Sequence, residues 1–328
     1  ASMGEIDMTL RILLTVLCFW GGVTVECLMG RGPSPEGFRK ELLWSVADDG
    51  KDFILSNPQS TLLVGDKVVV VDSGSLWVLD GQGNVQEHIQ RQGQGPGEWH
   101  YLAGVVPCEK GFAVFAAMPN HLIVFDENGH FQQDRKLDMQ DGLAQLICAD
   151  ALGGYAVQTE LDFEHLESGE QSMISRIGRF DAAGVFGAQP LTVSQRTIQN
   201  VLKNKNGQMQ VHFVVRDPLH FAVAREAGVL AFAYLEQWQV DLVDMKNGKL
   251  MKTVKRDVPH IPFTAHEDDR VWRAVTPPPH FHDILQVLPA GEEFWIVRSD
   301  INPQGVLVDR LSTRGEVMGS FRLALPDL

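Results

Sequence analysis

The string Pro277-Pro278-Pro279-His280-Phe281-His282-Asp283 sets two imidazoles at i and i+2, with His260, His266, Glu267, Asp268 and Asp269 nearby in sequence. Imidazoles and carboxylates are suitable metal ligands, so His280 and His282 are the metal-ligand candidates; no cofactor is predicted, and a divalent cation is the alternative to a polar loop without one. In a strand, i and i+2 share a face; in a proline-rich loop their relative direction is open. A harder cation would want carboxylates. Asp72, Glu98, Asn120, Asp150 and Asp300 stand near predicted strand ends, but no spacing groups them.

Other chemistries find less support. Gly93-Gln94-Gly95-Pro96-Gly97 is glycine-rich like a phosphate loop, yet no helix follows it and no Lys or Ser/Thr metal ligand closes it. Pro96 and Trp99 suit a rigid crossing between elements instead. No Gly-x-Ser-x-Gly elbow occurs, and Asp72-Ser73-Gly74-Ser75 reads as a tight turn. Of the tryptophans, Trp77, Trp99, Trp238 and Trp295 have apolar flanks that favour packing. Trp272, set among Asp268, Asp269, Arg270 and Arg273, is the candidate for an exposed anchor, because aromatic and Arg residues concentrate at interface hot spots. Arg270 and Arg273 join it as interaction residues.

Charge narrows the partners. The 328 residues carry 28 Lys plus Arg against 42 Asp plus Glu, a net charge of −14, so a phosphate backbone is repelled and nucleic acid is not a partner. The chain is 44% hydrophobic and 21% charged, enough apolar residues to fold. Four cysteines without paired CxxC spacing exclude a disulfide-dense scaffold and a structural zinc ribbon. Cys108 and Cys148 occupy similar places in successive repeats, which leaves two thiols or one bridge open.

Residues 1–37 read as a tail, an apolar membrane-targeting segment and a linker. Leu10 to Val25 is LRILLTVLCFWGGVTV, where Arg11 precedes an uncharged run that ends at Glu26. We expect a helix here, with Leu10, Leu14, Leu17, Phe19, Trp20 and Val25 as its membrane face. A cleaved signal peptide, lipidation at Cys27 and a retained anchor are the alternatives, and the missing small-residue cleavage site favours retention.

The elements that must position all these residues are set by a repeat in residues 38–328. Asp80-x-x-Gly83, Asp126-x-x-Gly129 and Asp181-x-x-Gly184 each follow an apolar run and precede an apolar residue; Ser312-x-x-Gly315 is a variant, and Asp244 to Gly248 has one residue more. The Asp or Ser oxygen accepts backbone hydrogen bonds and the Gly takes a positive φ, so each copy is a hairpin turn. Two more apolar runs precede every hairpin, giving a unit of four antiparallel strands. The turns begin at 80, 126, 181, 244 and 312, at or somewhat above the spacing of propeller blades. Radial stacking would bury both faces of such meanders, so the predicted architecture is an all-β propeller with five blades visible and six expected. Glu41 to Val46 is an extra strand that could pair with C-terminal strands to close a ring.

Gly93-Gln94-Gly95-Pro96-Gly97-Glu98-Trp99, beside these turns, resembles the Gly-x-Gly-Pro-Gly-Glu-aromatic signature of the bacterial six-bladed β-propeller family related to NHL-repeat proteins. The resemblance extends over about Phe38 to Leu328 and is sharpest between Leu62 and Leu137. It implies the fold and an exported or membrane-tethered location more than an activity. The function expected is therefore a non-enzymatic, extracytoplasmic, membrane-tethered propeller acting as an accessory or scaffold subunit through protein partners, with a respiratory or photosynthetic membrane complex as one setting. A secreted metal-dependent hydrolase of the lactonase kind and a carbohydrate- or peptide-binding propeller are the alternatives.

Overall fold

A computed structural model describes residues 9–19, 22–31, 39–47, 55, 58–72, 74–108, 110–117, 120–138, 143–150, 153–160, 169–187, 191–203, 209–215, 219–262, 280–302 and 304–323. Among them the regular elements are strands, arranged in six antiparallel sheets.

β1 (Thr9–Phe19), β2 (Gly22–Arg31) and β3 (Arg39–Ala47) make a three-stranded sheet. The first full blade is β4 (Pro58–Val64), β5 (Lys67–Asp72), β6 (Ser75–Leu79) and β7 (Val85–Ile89). The second is β8 (Tyr101–Cys108), β9 (Gly111–Ala117), β10 (His121–Asp126) and β11 (Phe131–Lys136). The third has five strands: β12 (Leu143–Asp150), β13 (Gly153–Glu160), β14 (Gly169–Asp181), β15 (Leu191–Lys203) and β16 (Met209–Val215). The fourth is β17 (Leu219–Ala224), β18 (Val229–Tyr234), β19 (Gln239–Asp244) and β20 (Lys249–Lys255). The fifth is β21 (Ile284–Ala290), β22 (Glu293–Asn302), β23 (Gly305–Ser312) and β24 (Val317–Leu323). The chain divides into two compact units, the first made of Ala1–Gln140, Ala144–Ala156 and Arg179–Ala188, the second of Asp141–Leu143, Val157–Gly178 and Gln189–Leu328.

Blade interiors follow from strand chemistry. Val68-Val69-Val70-Val71 in β5 and Leu76 to Leu79 in β6 are buried throughout, because a middle strand is covered on both faces and an unbroken apolar run satisfies both. Outer strands β7, β20 and β24 are mostly exposed. Within the first unit, Val69, Leu76 and Val78 share a core with Trp99, which lies between β7 and β8, and with Phe112 and Phe125 of the next blade. Within the second, Leu242 and Trp238 share one with Phe294, Ile296 and Leu311.

Three expectations are corrected. The apolar N-terminal stretch is not a helix: Leu10, Leu14, Leu17 and Phe19 lie in β1 and Val25 in β2, with Phe19 paired to Gly22. The β-branched residues Thr9, Ile12, Thr15, Val16, Val23, Thr24 and Val25 favour extended backbone, and the Gly21-Gly22 sequence disfavours helix continuation. Trp20 lies outside the described residues. Among the described residues, no helix is long and apolar enough to cross a membrane. Second, the strand around Glu41 to Val46 pairs with β2, not with C-terminal strands. Third, no outgoing strand starts at Val185. Val185 bridges Asp138, and the fourth strand of that blade begins at Leu191, paired to Ile177.

Candidate functional site

The recurring turns use their polar residue locally. Asp80 Oδ1 accepts from the backbone N–H of Gln82 and Asn84, both at 2.9 Å, and Gly83 N–H donates to Asp80 O at 3.0 Å. Asp126 and Asp181 repeat this with residues 128, 130, 183 and 185. Ser312 Oγ accepts from Arg314 and Glu316 N–H. In the longer turn Asp244 accepts from Lys246 N–H and from the Asn247 amide, while Gly248 N–H reaches Asp244 O. The Asn84 amide, ahead of the backbone donors, holds the Asp80 carboxyl below its ordinary range.

The turn glycines also permit close approach. A Cβ on Gly129 would stand 2.9 Å from Ile89 Cδ1 of the preceding blade, one on Gly184 2.2 Å from Lys136 O, and one on Gly315 2.6 Å from Lys252 Cδ. Among the described residues, none comes within 4 Å of a Cβ placed on Gly248.

Directly after these turns sits a second repeated feature. In β7 Val85 pairs with Leu79 and Glu87 with Val78, so Gln86 is an extra, bulged residue. Gln132 in β11, Met251 in β20 and Met318 in β24 hold the same place. Gln86 Nε2 donates to Asp80 Oδ2 at 3.0 Å and Gln132 Nε2 to Asp126 Oδ2 at 3.2 Å. Methionine has no such donor. Met251 is 51% and Met318 50% exposed, next to Leu250 at 48% and Val317 at 43%.

Two tryptophans lock blade crossings. In the first unit, the Glu98 carboxylate accepts Gly95 N–H at 2.8 Å and fills the space under Gly93, whose Cβ would lie 1.9 Å from Glu98 Oε2. Gly97 adopts φ +77° against the Phe131 ring and donates its N–H to Asp134 Oδ2 at 2.9 Å. Trp99, 1% exposed, donates its indole N–H to Gly74 O at 2.7 Å. The glycine loop therefore surrounds a side-chain carboxylate of its own chain. In the second unit, buried Trp238 donates its indole N–H to Asp309 Oδ2 at 2.8 Å and its backbone N–H to Asp283 Oδ2 at 3.1 Å. Arg256 lies 5.5 Å over the indole and pairs with Asp309 at 2.9 Å.

A cavity of about 390 Å³ in the first unit is lined by Gly93 to Pro96, His100, His121, Asp134 and Lys136. His121 Nδ1 lies 2.9 Å from Asp134 Oδ1. The cavity has imidazoles, an amine and a carboxylate for a polar ligand, but no Ser or Cys nucleophile among its lining residues.

Of the histidines, the structure brings His280 together with His260 and Asp283, each offering one donor atom within 4.8 Å of the others. His282 is not in this group. It stands near His220, whose imidazole is pushed below its ordinary range by burial and then by the charge of His282. Trp272, Arg270, Arg273 and His266 lie outside the described residues. Of the scattered candidates, the Asp300 carboxylate pairs with Arg322 at 3.1 Å, and the backbone carbonyls of Asp72 and Asn120 accept from Ser75 Oγ and Leu137 N–H. Cys108 and Cys148 are thiols, not a disulfide. Sequence reasoning passed over Asp309. Its signal is an acid inside the apolar β23 sequence GVLVDRLS.

Meandering four-stranded blades, joined by tryptophan-locked crossings and latched by glycine turns, make this a β-propeller. Residues 50–176 match the model of a family described as a 6-bladed beta-propeller, which agrees with the propeller family expected from the turns and the Gly-Pro-Gly-Glu loop. Comparison with curated proteins finds no match. Among solved structures, BamB from Moraxella catarrhalis is similar at 12% identity, covering 91% of this chain and 73% of its own, with a TM-score of 0.35. A Bacteroides fragilis protein described as exported is similar at 9%, covering 82% and 72%, TM-score 0.44. A chain of the nidogen/laminin complex is similar at 10%, covering 92% and 94%, TM-score 0.45.

Proposed function

We propose that this β-propeller is a non-enzymatic, extracytoplasmic accessory or scaffold subunit that works through protein contacts made by the outer strands of its second unit. The observation that carries this reading is the pair of apolar bulges. Leu250 with Met251 and Val317 with Met318 place four large apolar side chains at about half exposure on the outer strands of two consecutive blades. Methionine is flexible and polarizable, and both properties suit an adaptable contact surface. Interface cores are enriched in it and depleted of charge. The net charge of −14 adds long-range attraction for a partner with a basic face. The extracytoplasmic part of the reading is supported by the resemblance of Gly93 to Trp99 to exported propellers.

The test is site-specific photo-crosslinking in cells, with membranes solubilised gently and the soluble fractions kept. A photoreactive residue at 251 or 318 should give the same discrete adduct, while one at 86 or 132 gives none. Adducts only from 86 and 132, or no adduct from any of the four in any fraction, would overturn the proposal.

A further inference from the structure

We propose that His260, His280 and Asp283 form a binding site for one divalent transition-metal ion of the zinc class. This goes beyond the contact function and does not depend on it.

The backbone brings the donors together. Phe281 N–H donates to Ile261 O at 2.8 Å, and Pro262 bridges His280, so the two segments are tied before any side chain acts. His280 Nδ1 lies 2.7 Å from the carbonyl oxygen of Phe281. A carbonyl only accepts, so Nδ1 carries the proton of the neutral ring and Nε2 keeps its lone pair. That is the outer hydrogen bond that orients a metal-bound imidazole. Asp283 is buried, its Oδ2 fixed by Trp238 N–H, and its Oδ1 lies 2.7 Å from His260 Nδ1. The imidazoles of His260 and His280 stack at 4.1 Å between centroids and 19° between planes, so the second ring lies beside the one that meets the carboxylate.

Donors around a tetrahedral ion with bonds of about 2.0–2.2 Å stand roughly 3.5 Å apart. The three donor atoms lie within 4.8 Å of one another; to reach that spacing the 2.7 Å contact of His260 with Asp283 opens and the two stacked rings turn so that their lone pairs converge on the ion. Two imidazoles and one carboxylate make a borderline-soft set. Calcium takes 6–8 oxygens and magnesium an octahedral shell rich in water, so zinc, cobalt, nickel or copper fits and those two do not. Three protein ligands leave a fourth position for water or a donor from a partner.

The experiment uses the full chain, stripped with chelator and titrated with Co(II), read by visible absorption and by elemental analysis after reloading with Zn(II). One equivalent is expected to bind, zinc to displace cobalt, and an excess of calcium to leave the spectrum unchanged. His280→Gln and His260→Gln should each weaken binding by about 100-fold or more. His282→Gln should leave it unchanged. His260 is exposed and His280 partly so; metal-free His280→Gln should melt with the wild type, and His260→Gln, which loses its contact with buried Asp283, somewhat lower. If one does not fold, the other carries the test. Substoichiometric metal, binding that survives either ligand substitution, or loss in His282→Gln equal to that in His280→Gln would overturn the proposal.

Discussion

In the first unit the bulged residues Gln86 and Gln132 reach back to the carboxylate of their own turn; in the second, Met251 and Met318 stand at the same place and face water. The bulge is the same in all four copies, and only the turn before Met251 is one residue longer, so the contrast between Gln132 and Met318 lies in the side chain at that place. A glutamine that satisfies its own turn closes an outer edge to partners, and a methionine leaves it available. The crossings differ in the same direction. Trp99 leans on a neutral backbone carbonyl, whereas Trp238 leans on a buried carboxylate shared with Arg256. At these bulges and crossings the first unit uses polar contacts without an ion pair, and the second sets an ion pair on a buried carboxylate at its crossing and methionines at its bulges.

The largest effect expected from breaking this contrast is at the crossings. Trp238→Phe keeps the ring and removes the donor to Asp309, a fully buried carboxylate, and should cost about 2 kcal/mol. Trp99→Phe removes only a neutral hydrogen bond and should cost about 1 kcal/mol. Urea unfolding of the two variants side by side reads the difference, and equal losses would erase the distinction between the junctions. A second contrast concerns glycine. Gly93→Ala must displace the Glu98 carboxylate, the end of a flexible side chain, and should destabilise by about 1 kcal/mol, with part of the loss recovered in the Gly93→Ala, Glu98→Ala double variant. Strict additivity in the double-mutant cycle would show that Glu98 is not the obstacle.

The smallest effect separates an acid turn from a hydroxyl turn. The folded Asp80 carboxyl titrates below its ordinary value of 3.8, chiefly through the Asn84 amide. A depressed folded value means a contribution that is full above the unfolded value and is lost as pH falls through the folded one. Asp80→Asn should therefore lower the melting temperature slightly at neutral pH and flatten its decline below about pH 4. Ser312→Asn, at a turn with no ionisable cap, should leave the acid limb unchanged. An Asp80→Asn curve parallel to the wild type at every pH would contradict this assignment.

The fold was legible because its signals are local. Asp126-x-x-Gly129 is at once a hydrogen-bonding cap and a positive-φ residue, and both requirements are written in four consecutive positions. Val68 to Val71 and Leu76 to Leu79 likewise announce middle strands by their unbroken apolar runs. What composition obscured was the N-terminal stretch, where an apolar segment of about 14 residues suits a helix in lipid or a strand in a sheet equally, and pairing with Gly22–Arg31 decides. The histidine cluster was half legible. His280 and Asp283 stand close in sequence, but His260 joins them through a bridge at Pro262 that no local spacing encodes. The bulge methionines look like ordinary outer-strand residues until register shows that each is an inserted position.

The glycine latches carry a consequence for biogenesis. Gly129 seats on Ile89, Gly184 on Lys136 and Gly315 on Lys252, in every case a strand made earlier by the ribosome. Each of these three hairpin tips thus finds its socket already translated, and folding can ratchet from the N-terminus without waiting for later sequence. A fluorescent or affinity insertion would jam the ratchet at residues 128, 183 or 314, whereas the open tip beside Gly248 should accept one.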